Sequence, residues 1–172
     1  QENSAIDERS RRVVRYKKKY KATTNSDHKK PIDDNELKQD FVAQQPDLVW
    51  VQDITYVWTS EGWLYLAVVI DLYSRKVVGW SMSSRMKASL ACDAFTMAIW
   101  QRQPTAGLIL HSGQGGQYAS KAYRRLIKTR GFVGSMSKRG CCWDNAVAES
   151  FFGSLKQEWV HWRNYATRSS AQ

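Results

Sequence analysis

The feature that most restricts the fold is a run of three strand-like segments joined by very short links. Leu48–Trp58 (LVWVQDITYVW) is rich in β-branched and aromatic residues with period-two alternation, the pattern of a strand. After the turn TSEG comes Trp63–Asp71 (WLYLAVVID), apolar on both alternating faces, as expected of a central strand covered on both sides. A third segment, Lys76–Met82 (KVVGWSM), follows the short connection LYSR. Links this short force the three strands to lie antiparallel side by side, because a parallel return needs a long crossover.

From Met86 to Trp100 the period changes. Leu90, Ala91, Ala94, Phe95, Ala98 and Ile99 repeat at helical spacing, with Ser83 or Ser84 available as a cap. Gly107 then introduces LILH as a short buried strand. Ala122, Tyr123, Leu126 and Ile127 mark a second helix, and Phe132–Met136 (FVGSM) a fifth strand. The loop SKRGCCWD leads to NAVAESFFGSLKQEWV, a helix capped by Asp144 or Asn145 with the apolar stripe Val147, Phe151, Leu155 and Trp159. The order β-β-β-α-β-α-β-α defines an α/β domain with a mixed five-stranded sheet, three antiparallel strands and then two more, flanked by helices.

That domain is expected to occupy residues 41–172. Residues 1–40 are polar and charged without a sustained apolar period, and read as a basic arm and linker. The chain carries 26 lysines and arginines against 16 acids, a net charge of +10 and a pI near 9.7, so a polyanion is the expected partner and nucleic acid the leading one. Arg11–Lys21 (RRVVRYKKKYK) holds seven cations and no acid, interleaved with Tyr16 and Tyr20. Arg11, Arg12, Arg15, Lys17, Lys18 and Lys19 are therefore candidate phosphate contacts with rings between them for stacking or packing. No segment has the roughly 18 consecutive apolar residues of a membrane span, nor the apolar run of a secretory signal, which leads us to expect a soluble intracellular protein. Cys92, Cys141 and Cys142 form no CxxC pair and suggest neither a disulfide framework nor a zinc site.

Two carboxylates stand out. Asp53 lies inside the first strand, where a charge is costly unless something pairs with it. Glu149 lies near the start of the last helix, away from its apolar stripe and on one face with Gly153 and Lys156. A solvated glutamate is the plain reading of that face. The sharper one is a carboxylate aimed at the sheet, with Lys156 placed to meet a phosphate. Two acids on separate elements suggest phosphoryl transfer assisted by a pair of Mg²⁺ ions roughly 4 Å apart, which demands hard oxygen ligands and ordinarily a third acid. The natural place for it is the end of the strand in LILHSGQGGQY (residues 108–118), yet that loop contains no acid.

The segments WVQDITYV, GWLYLAVVIDLYSRKVVGWSM, HSGQGGQY and SKRGCCWDNAVAESFFGSLKQE resemble, in order, the retroviral-integrase-like catalytic core of bacterial insertion-sequence transposases, the group with two overlapping reading frames. The resemblance covers about Asp47 to Thr167. It implies an RNase H-like fold and a DDE active site, with Asp53 as first acid, Glu149 as third and Lys156 as the accompanying basic residue. It further implies Mg²⁺ or Mn²⁺ as cofactor, DNA (element ends and target) as partner, a homo-oligomeric synaptic complex, and the bacterial cytoplasm near the nucleoid. Lys138 and Arg139 join Lys156 and the arm cations as expected DNA contacts. The family pattern is close to HSDQGSQY, so Gly113 stands where the second acid belongs; the register is fixed by thirty-five residues between Gly113 and Glu149. Ser112, Gln114 and Gln117 are neutral, and His111 reads as a packed histidine. Asp71 and Asp144 read as structural acids rather than substitutes.

The resemblance also leads us to expect neither the family's N-terminal helix-turn-helix region nor its usual C-terminal helical stretch within these 172 residues. The expectation is a transposase core with a weakened metal site, impaired or inactive; the alternative is a catalytically dead DNA-binding protein derived from one. A phosphate-binding loop formed by GQGG fits poorly, lacking the Lys-Ser/Thr ending of a P-loop and the GxGxxG spacing.

Overall fold

The computed structural model describes residues 28–138 and 145–172. The three linked strands form a meander, β1 (Val49–Thr59), β2 (Gly62–Asp71) and β3 (Val77–Ser83). Then come α1 (Ala88–Arg102), β4 (Ile109–Ser112), α2 (Lys121–Thr129), β5 (Val133–Met136) and α3 (Ala146–Leu155). α3 runs on into a π-helical turn at Lys156–Val160. Sheet order is β3-β2-β1-β4-β5, so the first strand in sequence is the middle one in space. β1–β2 and β2–β3 pair antiparallel, whereas β1–β4 and β4–β5 pair parallel, with a helix in each parallel crossover.

Strand alternation divides the core into two layers. Trp50 and Ile54 of β1 and Ala67 and Val69 of β2 pack with α1 and α2, together with Phe95, Ala98, Tyr118, Tyr123 and Phe132. Val51, Leu66, Val68 and Ile70 point the other way, toward Ala148 and Phe152 of α3. β2 is thus covered on both faces, as its composition requires. α1 lies very close to β3, where a Cβ on Gly79 would stand 2.3 Å from the Ala94 carbonyl oxygen. Small residues at Ala91, Ala94 and Ala98 supply the rest of that close approach.

Three expectations need correcting. α1 is capped neither by Ser83 nor by Ser84: its N-cap is Lys87 without a side-chain bond, and the Ser83 hydroxyl accepts from the Arg85 N–H at 3.2 Å. The apolar stripe of α3 is displaced by one residue. Ala148 and Phe152 are the buried positions, Val147, Phe151 and Leu155 only flank them, and Trp159 is 57% exposed on the π-helical turn. Part of the expected linker also packs. Leu37 is buried in the core layer between the sheet and α3, the Asp34 carbonyl accepts from the Met136 N–H at 3.3 Å, and Asp33 pairs with Arg124 at 3.2 Å, so residues 28–37 form a strap along the edge of β5. Arg11, Arg12, Arg15, Lys17, Lys18, Lys19, Arg139, Cys141, Cys142 and Asp144 lie outside the described residues.

Candidate active site

Asp53 belongs to the alternate set of β1 that faces α3, one residue beyond Gln52. In the parallel pair Gln52 is aligned with Ser112, the last residue of β4, so Gly113 comes next to Asp53 at the strand end. Glu149 sits in the first turn of α3, exposed, and Lys156 two turns on. Central strand, β4 terminus and α3 therefore bring the three positions to one end of the sheet.

The electrostatics agree with that proximity. Burial pushes the Asp53 carboxyl from its ordinary 3.8 up to about 7, and the like charge of Glu149 adds to the rise. The Ile54 N–H, donating to Asp53 Oδ1 at 2.8 Å, and the Lys156 ammonium oppose it. Lys156 is half-buried. Desolvation lowers its pKa while Asp53 holds it up, and its Nζ lies 4.8 Å from the centre of the Tyr56 ring. A carboxyl that resists ionisation this strongly sits where a cation would be welcome.

Among the described residues nothing around Gly113 requires a glycine. Its φ is outside the left-handed region, and a Cβ built there would meet no described atom within 4 Å. Two of the loop's polar groups are bonded elsewhere: Gln117 Nε2 donates to the Met86 carbonyl at 3.2 Å, and the Gln114 backbone carbonyl accepts from His28 Nε2 at 2.9 Å. Lys30 Nζ donates to the Gly116 carbonyl at 2.7 Å, so the strap grips this loop twice. Among the described residues no three His, Cys, Asp or Glu side chains cluster closely enough to hold a metal ion.

His111 is packed. Ser135 Oγ accepts the N–H groups of Glu36 (3.0 Å) and Leu37 (3.4 Å), so its proton goes to His111 Nδ1 at 2.8 Å. His111 Nε2 then donates to Ser137 Oγ at 3.1 Å, whose hydroxyl donates to the Ser112 carbonyl at 3.3 Å. This relay connects the strap to the residue before Gly113. Asp71 is equally committed: it is fully buried and accepts from the Asp47 N–H (3.0 Å), the Ser74 N–H (2.9 Å) and Ser74 Oγ (2.6 Å).

Sequence reasoning missed three buried polar atoms near the site. Gln117 Oε1, Tyr118 Oη and Asn145 Oδ1 have no hydrogen-bond partner among the described residues, and the first two follow Gly113 while the third begins the Glu149 helix. The negative charge of Asp53 raises the Tyr118 phenol further after burial has already done so. Residue type alone gives no sign of this, since a tyrosine after a glycine-rich loop reads as core.

The integrase core domain family model (rve) matches residues 43–142, and the chain belongs to that family. It is 51% identical over 151 residues to the transposase InsF for insertion sequence IS3A of Escherichia coli K12, covering 88% of this chain and 52% of that protein. It is 44% identical over 155 residues to an uncharacterized 31 kDa protein of insertion element IS600 from Shigella sonnei, covering 90% and 57%. The chain thus spans little more than half the length of these relatives. Among solved structures, a chain of the simian T-cell lymphotropic virus intasome superposes with a TM-score of 0.62 at 19% identity, covering 78% of this chain and 45% of that one. The HTLV-2 integrase catalytic core in complex with magnesium gives 0.57 at 18%, covering 67% and 71%. These neighbours establish the RNase H-like fold.

Proposed function

We propose that the chain is the catalytic core of an insertion-sequence transposase, built for divalent-metal-dependent cleavage of DNA strands and their transfer to a target, and that Gly113 leaves this copy impaired. The observation that carries the reading is the convergence of Asp53, the Gly113 position and Glu149 from three elements on one sheet end. Family membership and the transposase relative at 51% identity support the substrate class.

Asp53 and Glu149 are hard oxygen donors and suit Mg²⁺ or Mn²⁺, although two carboxylates fall short of the set that ordinarily fixes two ions. When bound, the metal supplies an activated nucleophile and a stabilised leaving oxygen. The remaining work belongs to the chain. Asp53 must shed the proton that burial and Glu149 favour at neutral pH before it can serve as a ligand. Lys156, steadied over Tyr56, is positioned to meet a phosphate. Lys138, Arg139 and the arm cations Arg11, Arg12, Arg15, Lys17, Lys18 and Lys19 extend the path of DNA. Residues 41–172 form the core, with the arm before it, and copies of the chain assemble around the element ends. The protein acts in the bacterial cytoplasm, at the nucleoid.

A second reading, a DNA-binding derivative without chemistry, is favoured by Gly113 itself. One experiment separates the two. Gly113→Asp is introduced into a chain carrying the flanking regions, and cleavage of terminal-sequence DNA is followed with Mg²⁺ and Mn²⁺. Cleavage that depends on the new aspartate and is abolished by Glu149→Gln supports the missing-ligand account; equal cleavage with and without it sinks that account.

A further inference from the structure

On the layer of the sheet opposite α3, α2 borders a cavity of about 760 Å³. Its floor is apolar, from Ala119, Ile127 and Phe132, and its rim carries Lys121, Arg124, Arg125 and Lys128. The helix contains no acid at all. Arg124 is held in place by Asp33 of the strap at 3.2 Å, which closes one wall of the cavity. Lys121, Arg125 and Lys128 are exposed and have no acid partner among the described residues. They fall at i, i+4 and i+7, one face of the helix, spread over about 10 Å of its axis. A nucleic-acid strand rises about 3.4 Å per nucleotide, so the three cations span about three nucleotide steps of a phosphate backbone.

Cations that only kept the chain dispersed would have no need to share one face beside a cavity, and acids would be interspersed among them. Here the sign is uniform and the fourth cation is fixed by a strap whose other bonds run to the Gly113 loop. We propose that the α2 face is a second DNA-backbone site, separate from the Asp53 end of the sheet, which grips duplex phosphates through Lys121, Arg125 and Lys128. It rests on the transposase reading only for the choice of DNA as the polyanion. An acidic protein partner is the rival occupant.

The test uses the full 172-residue chain and a fluorescent DNA duplex of unrelated sequence, with affinity measured across a salt titration. Replacing Lys121, Arg125 and Lys128 together by Gln is expected to lower the slope of log K against log salt by roughly 2 to 3, at about 0.9 per lost phosphate contact. A charge-matched control, Lys76, Arg85 and Lys87 replaced by Gln, is expected to change it by less than about 1. Both triples alter only exposed side chains, and unchanged melting temperatures check that each folds. Equal slopes for the two triples, or no DNA binding by the parent, overturn the site. Binding of polyglutamate as tight as that of DNA, and lost in the α2 triple, overturns it in favour of the acidic partner. Failure of the Gly113→Asp chain to cleave, with the slope loss intact, would sink the missing-ligand account in favour of a DNA-binding derivative and leave this site standing.

Discussion

Asp53 and Asp71 stand on neighbouring strands, with Asp53 opposite Val68 and Asp71 opposite Trp50, three residues or about 10 Å apart along the sheet. Among the described residues one is surrounded by donors, and the other accepts from its own neighbour's N–H. Asp71 accepts three hydrogen bonds that tie the β2–β3 turn to the entry of β1, where Asp47 also receives Arg102 at 2.8 Å and the Trp50 Nε1 at 3.0 Å. Asp53 has the Ile54 N–H, a nearby glutamate that repels it, and a half-buried lysine. A carboxylate that serves the fold is satisfied by the fold. Asp53 is left with a raised pKa beside a like charge, where an added cation would lower the cost of ionising it.

The contrast can be broken most severely at Asp71. Asp71→Ala strips a buried acceptor from three donors and is expected to destabilise the chain by about 4 kcal/mol, measured by urea unfolding. Asp53 should behave in the opposite sense. Its folded pKa is raised, so the native state holds the proton more tightly than the unfolded one, and stability is greatest below the ordinary value and falls as pH climbs toward about 7. We expect a loss of about 3 kcal/mol across that window, allowing for partial exposure, and a flat profile in Asp53→Asn. A falling profile that survives Asp53→Asn would place its source elsewhere.

Smaller in energy is the catalytic gain from Gly113→Asp in the flank-bearing chain, expected to be about 100-fold or more in cleavage rate, since even outer partners of metal ligands are worth 10–100-fold. The same change without metal crowds a further negative charge against Asp53, so added Mg²⁺ should raise the melting temperature of the Gly113→Asp protein more than that of the parent. Gly113→Ala has the smallest effect, within about 1 kcal/mol of neutral and of either sign, because the position is open and its backbone undemanding. Gly79→Ala, whose Cβ would collide with the Ala94 carbonyl of α1, makes the informative control and should be strongly destabilising.

The meander is legible in the sequence because alternation and short links are local signals. The expected strands Leu48–Trp58, Trp63–Asp71 and Lys76–Met82 each fall within one residue of β1, β2 and β3. The relation of Asp53, Gly113 and Glu149 is legible only through motif order, since no local period says that β4 inserts beside β1 rather than beside β3. The stripe of α3 reads one residue out of place because its buried arc is narrow, only Ala148 and Phe152, and because the π-helical turn after Leu155 rotates Trp159 outward. The strap is invisible for another reason. Its hold on β5 is made by backbone groups, Ser135, an ion pair and a single apolar anchor, Leu37, none of which produces a repeating pattern.

The insertion of β4 beside β1 also sets a timetable. Val49–Gln52 and Ile109–Ser112 pair across some sixty residues, and Glu149 follows later still. A chain emerging from the ribosome completes its meander early, with Asp53 on a finished hairpin but no counterpart for it. Long loop closure is slow relative to hairpin formation. The Asp53 end of the sheet is consequently completed late, and an unfinished chain carries Asp53 without the β4 terminus and Glu149 beside it.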